Sequence, residues 1–142
     1  MRRRTDLSSG WTSYEVIHKD NAQTTPVSDA LAAGGEIPVA AANKISIVEE
    51  IGWPNAKRDM KYGRGKPRIV KKCDVIWLLK CWPDCWRLYF YVIQNKKYIV
   101  YVHAVCKKQD SEDAADAARA KHVYDDIQAG RSAVTAFPFP PG

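Results

Sequence analysis

The stretch from Lys71 to Lys108, KKCDVIWLLKCWPDCWRLYFYVIQNKKYIVYVHAVCKK, restricts the possible folds more than any other part of the chain. It contains three apolar runs rich in β-branched and aromatic residues: Val75–Cys81, Trp86–Ile93 and Tyr98–Cys106. Each has the length of a strand. Turn-prone residues separate them, Trp82-Pro83-Asp84-Cys85 and then Asn95-Lys96-Lys97. The spacing predicts a three-stranded antiparallel meander.

Successive strand residues point to opposite sides of a sheet, so the connections decide which residues share a face. A four-residue loop from Trp82 to Cys85 sets Lys80 opposite Arg87, Leu78 opposite Tyr89 and Ile76 opposite Tyr91. Leu79/Leu88, Trp77/Phe90 and Val75/Val92 then fall on the other side. For the second connection, a two-residue loop places Val92 beside Ile99 and Leu88 beside His103, which mixes polar and apolar residues on both faces. A three-residue loop, Asn95 to Lys97, sorts them. Val92/Val100, Phe90/Val102 and Leu88/Ala104 share one side, Tyr91/Tyr101 and Tyr89/His103 the other. A one-residue slip flips every side chain, so the sorting register is the expected one. One face is then a core whose central row is Trp77, Phe90 and Val102, and the other displays Lys80, Arg87, Tyr89, Tyr91, Tyr101 and His103.

At 142 residues the chain has room for one domain with a real core. Residues 1–10 read as a disordered N-terminus, 11–130 as a single domain and 131–142 as a Pro-rich tail. Trp11–Ile17 alternates as a short strand. Thr25-Pro26 opens a short helix that Gly34-Gly35 ends. A second helix runs from Pro38 to Glu50 on the apolar stripe Ala41, Ile45, Val48 and Ile51, and Gly52 closes it before Trp53-Pro54. A basic loop follows, and Pro67–Lys72 leads into the meander as a strand. Beyond the meander, Asp110 or Ser111 caps a last helix with Ala117, Ala120, Tyr124 and Ile127 at helical spacing, ended by Gly130. The expected class is α+β, with two N-terminal helices and one C-terminal helix packed on the apolar side of a mostly antiparallel sheet.

No apolar run approaches the roughly 20 residues that span a bilayer. Met1-Arg2-Arg3-Arg4 runs into polar Thr5–Gly10, not into an apolar signal-peptide core, so a cytoplasmic location is expected. In that compartment Cys73, Cys81, Cys85 and Cys106 are reduced thiols. Cys81-x-x-x-Cys85, with Cys73, Cys106 and His103 nearby, lacks the paired C-x-x-C spacing of a zinc site, so neither metal nor cofactor is expected.

The net charge is +6, yet Lys57, Arg58, Lys61, Arg64, Lys66, Arg68, Lys71 and Lys72 against Asp59 give one segment +7 and leave −1 for the rest. Such a cluster beside a face carrying Lys80, Arg87 and tyrosines points to a polyanion partner, nucleic acid first.

Ile76-Trp77-Leu78-Leu79-Lys80, Arg87-Leu88-Tyr89 and Val102-His103-Ala104-Val105-Cys106-Lys107-Lys108, followed by a helix with Ala118-Arg119 and Tyr124, resemble the RelE/HigB superfamily of toxins from toxin–antitoxin modules, especially its phage-derived HigB-like branch. The resemblance covers residues 11 to 128. It departs at Leu78-Leu79-Lys80, where the family usually reads Glu-Leu-Arg, and at Cys106, near an expected aromatic.

The resemblance implies a metal-free endoribonuclease that cleaves mRNA on the ribosome by turning the 2′-hydroxyl onto the adjacent phosphate. A cognate antitoxin, a helix-turn-helix protein, would be its partner. That chemistry needs a base, an acid and cations for the developing phosphorane charge. Arg87 and Lys80 are the candidates for the phosphate, and His103 and Tyr89 for proton transfer. Arg64, Lys66, Arg68, Lys71, Lys72, Lys107 and Lys108 are expected to bind the RNA backbone. Tyr91 and Tyr101 are expected to stack on bases. The same fold also serves gyrase poisons of the ParE branch, and Leu78 and Lys80 also allow a phage regulatory module without nuclease activity.

Overall fold

The computed structural model describes residues 9–18, 24–61, 69–81, 84–107 and 114–138. In chain order its elements are β1 (Thr12–His18), α1 (Pro26–Leu31), α2 (Val39–Ile51), α3 (Trp53–Lys61), β2 (Ile69–Lys71), β3 (Trp77–Lys80), β4 (Trp86–Ile93), β5 (Tyr98–Cys106), α4 (Ala114–Gln128) and β6 (Ser132–Ala136). The strands form one six-stranded sheet in the order β2-β3-β4-β5-β1-β6. Every neighbouring pair is antiparallel except β1 and β5. The class is therefore α+β.

β1 and α2 lie within a residue of the expected bounds, and Pro26 starts α1, which ends at Leu31 before reaching Gly34-Gly35 and has no side-chain cap bond from Thr25. Gly52 closes α2 at φ 85, a conformation costly for other residues, and a Cβ there would meet the Trp11 ring at 3.1 Å. The segment after it differs from expectation. Trp53-Pro54 starts α3 instead of a loop, because proline fits the first helical turn, where its missing N–H has no intrahelical partner. Among the described residues, three helices, not two, thus precede the meander. The Asp110/Ser111 cap lies outside the described residues.

The segment read as a tail supplies β6, which pairs with β1 from Tyr14↔Ala136 to His18↔Ser132. Phe137 behind it is buried against the Tyr101 ring. The domain thus extends past residue 130.

The first hairpin has the expected register, Lys80↔Arg87 through Trp77↔Phe90. The second uses both of the registers that parity offers. Leu88↔Ala104 and Tyr89↔His103 follow the face-sorting one, whereas Phe90↔Tyr101, Tyr91↔Val100 and Val92↔Ile99 follow the other. A β-bulge joins them, with Val102 as the extra residue. Its effect is to move Tyr101 onto the Phe90 face.

Both faces of the sheet are covered, which corrects the one-sided packing. On the Phe90 face, Trp53 of α3 meets Phe90 and Trp77 edge-on at 5.4 and 4.9 Å. There too the buried Glu15 carboxylate accepts the Ser28 N–H of α1 at 3.0 Å. On the other face lies α4, whose Tyr124 ring stands T-shaped on Tyr91 at 4.8 Å. Tyrosine rings carry enough apolar area to be buried as a layer, so the face sorted as polar is also a core. Trp77, expected in the core row, is only half-buried at the start of the short strand β3, between Lys71 of β2 and Phe90 of β4.

The expectation of four reduced thiols also fails. Cys85 and Cys106 form a disulfide, their Cα atoms 4.8 Å apart, because the register sets Trp86 opposite Cys106 and so brings Cys85 alongside. Cys81 is a buried thiol whose pKa burial pushes up to about 12. Among the described residues, no helix is long and apolar enough to cross a membrane.

Candidate functional site

At one end of the central strands, β3, β4 and β5 bring Lys80, Arg87, Tyr89 and His103 together as the registers require, with Lys80 opposite Arg87 and Tyr89 opposite His103. The Tyr89 and His103 rings lie 5.5 Å apart at 37°. α4 contributes a further residue. Asp116, in its first turn, accepts a hydrogen bond from His103 Nε2 at 2.8 Å and an ion pair from Lys107 Nζ at 2.9 Å. Negative charge suits the start of a helix, where the peptide dipoles present their positive end. Both His103 and Asp116 keep a minor part of their side chains in solvent, 18% and 14%. Lys107 is anchored a second time, its backbone N–H donating to the Cys85 carbonyl at 2.8 Å.

This geometry fixes a tautomer. An imidazole that donates from Nε2 to a carboxylate accepts at Nδ1 when neutral. The pair can therefore take up a proton at Nδ1 while the carboxylate stabilises the imidazolium that forms. Lys107 holds positive charge on the far side of the same carboxylate.

The remaining expected residues divide. Tyr89 (1% exposed), Tyr91 (3%) and Tyr101 (0%) are buried, and so is Arg87 (5%). Tyr124 of α4 stands on Tyr91, His103 lies beside Tyr89, and Phe90 and Phe137 flank Tyr101; buried as they are, none of the three tyrosines can offer a ring face to a base. Burial also pushes the Tyr91 phenol up to about 12. The display of an open basic and aromatic face is thus corrected, and Tyr89 is withdrawn as a proton donor to a bound substrate. Lys80 and Lys72 are half-buried, and Lys71 is exposed on β2. Arg64, Lys66, Arg68 and Lys108 lie outside the described residues.

Asp116 escaped the sequence reading because its helix was assigned a purely packing role. The usable signal was a carboxylate two helical positions into a first turn that follows a strand bearing His and Lys. The sequence matches no protein-family model and no curated protein at a significant level.

Proposed function

We propose that this domain is a toxin-like endoribonuclease of the RelE/HigB kind, acting on mRNA at the ribosome and held in check by an antitoxin. The observation that carries this reading is the His103–Asp116 pair with Lys107 across it, beside the opposed Lys80 and Arg87. The order of strand, helices, meander and helix accords with the resemblance.

In the proposed reaction His103 Nδ1 takes the proton of a 2′-hydroxyl, whose oxygen attacks the neighbouring phosphorus. Asp116 keeps the ring oriented and offsets its gained charge. Lys80 and Lys107 stabilise the phosphorane, and buried Arg87 adds its field from beneath. The 5′-oxygen departs with a proton, returned by the imidazolium or by water. General acid–base catalysis of this kind contributes about 10²–10⁴-fold.

The test is RNA from cells expressing wild type or His103→Gln, with soluble yield and circular dichroism confirming that the variant folds. Cleavage inside translated messages, leaving 2′,3′-cyclic phosphate ends and surviving EDTA in a purified translation system, is expected from wild type alone. Equal cleavage by both proteins sinks the assignment of His103. A second reading, an RNA-binding module without cleavage, is favoured by the burial of Arg87 and Tyr89, and predicts growth arrest or RNA association with intact messages.

A further inference from the structure

A second feature lies at the opposite end of the central strands, where β3 begins and β4 ends. There a groove of about 460 Å³ is lined by Trp53, Lys57, Lys71, Trp77, Ile93 and Gln94 among others. Its volume lies within the range of small-ligand pockets, which is enough for one nucleotide. The half-buried Trp77 indole has Lys57 Nζ 5.4 Å and Lys71 Nζ 5.7 Å from its ring centre, and Lys57 also lies 5.9 Å from Trp53. Both lysines belong to exposed positions on different elements, α3 and β2, so their convergence on one ring comes from the tertiary fold and not from sequence adjacency. Among the described lining residues, Asp74 is the one acid.

We infer that this groove is a subsite for one nucleotide of single-stranded RNA, its base stacked on Trp77 and its phosphates held by Lys57 and Lys71. Three observations select this occupant. A flat ring with cations resting on it gives the two elements that sequence-tolerant single-strand sites combine, a stacking platform and backbone-tracking charge. Both lysines come from the segment that carries +7 in the sequence, which also supplies Arg58 and Lys72. Duplex is a poor fit, because stacking on the ring requires a base already out of its own stack. The inference rests on RNA being the substrate, and adds a contact remote from the His103 cluster, at the other end of the same strands. A single strand bound there would be anchored several nucleotides from the cleaved bond.

Fluorescence anisotropy of a labelled ten-nucleotide oligouridylate, titrated with the full chain at several salt concentrations, tests it. Trp77→Leu keeps bulk at the position but removes the platform, and is expected to weaken binding about ten-fold with the salt slope unchanged. Lys57→Gln with Lys71→Gln is expected to lower the slope of log affinity against log salt by about 1.4, the value for two phosphate contacts on a single strand. Thermal melts confirm folding, and Trp77→Phe should restore most of the affinity. Unchanged affinity in folded Trp77→Leu overturns the inference. Equal affinity for a duplex or for poly-glutamate overturns it too, since either would show charge alone. His103→Gln separates the two proposals: it should leave oligonucleotide affinity intact, so loss of cleavage with retained binding supports both. Retained binding with cleavage unaffected removes only the catalytic assignment.

Discussion

The two faces of the sheet are built from similar rows of aromatic residues and are covered in different ways. The Phe90 face is closed by three helices, and its buried charges, Glu15 and Glu49, are tied to backbone N–H groups of Ser28 and Ser13. The Tyr91 face, which also buries Arg87, is closed by one helix, and at its rim His103, Lys107 and Asp116 are tied to one another. Carboxylates fixed by backbone donors can only hold elements in place. Side chains that neutralise each other within reach of water can exchange those partners for a substrate, and this separates the structural face from the candidate site.

The largest test of this contrast is in the cores. Phe90→Ala should cost about 3–5 kcal/mol in urea unfolding, as buried aromatics do. Tyr91→Ala should cost nearly as much, because α4 buries that ring, whereas a face open to solvent would lose far less. A Tyr91 loss below about 1 kcal/mol would mean that α4 does not seal its face.

Next comes the disulfide, which closes a loop of 21 residues at the rim of the His103 cluster. Loop closure of that length corresponds to about 3 kcal/mol. Unfolding with and without dithiothreitol, and in Cys85→Ser/Cys106→Ser, should show this loss. Equal midpoints would indicate that the bond is not formed.

Asp116→Asn should cost about 1–2 kcal/mol, less than either aromatic truncation, since the amide keeps the carboxylate's shape and one acceptor, yet it should slow any cleavage through His103. A large stability loss with unchanged activity would reverse the roles assigned to the two faces.

The smallest effect concerns Glu15, whose pKa burial raises from its ordinary value of 4.5. The folded state then binds more protons than the unfolded chain between 4.5 and the raised value. Stability relative to Glu15→Gln should therefore fall as pH rises through that window. A difference independent of pH would mean that the carboxyl titrates normally.

Much of this was legible before the structure. The strand runs, the first hairpin register, the start of α1 at Pro26 and the end of α2 at Gly52 follow from local chemistry. For the second hairpin the expected face-sorting register holds on one side of Val102 only, and the register set aside for mixing the faces holds on the other. A bulge has no parity signature, since it is chosen by how Tyr101 and Phe137 pack across strands far apart in sequence. The disulfide was within reach: the face-sorting register already set Trp86 against Cys106, and a presumed reducing compartment argued it away. The burial of Tyr89 and Tyr91 was not within reach, because a strand's own residues do not say whether a helix will cover them. The lysines on Trp77 were hidden for a similar reason, as α3 was read as loop.

The pairing of β1 also constrains biosynthesis. His18 on β1 and Ser132 on β6 meet across 114 positions, and β1's other neighbour, β5, is nearly as remote. During translation β1 leaves the exit tunnel first with neither partner yet made, its N–H and C=O groups and the side chain of Val16 exposed to other chains. Distant pairings form slowly, and unpaired strands are the sites of association between nascent chains. The meander is local enough to form early. Completion of the sheet waits for the last strand, so a ribosome stalled before Ser132 would carry a domain with an open edge at β1.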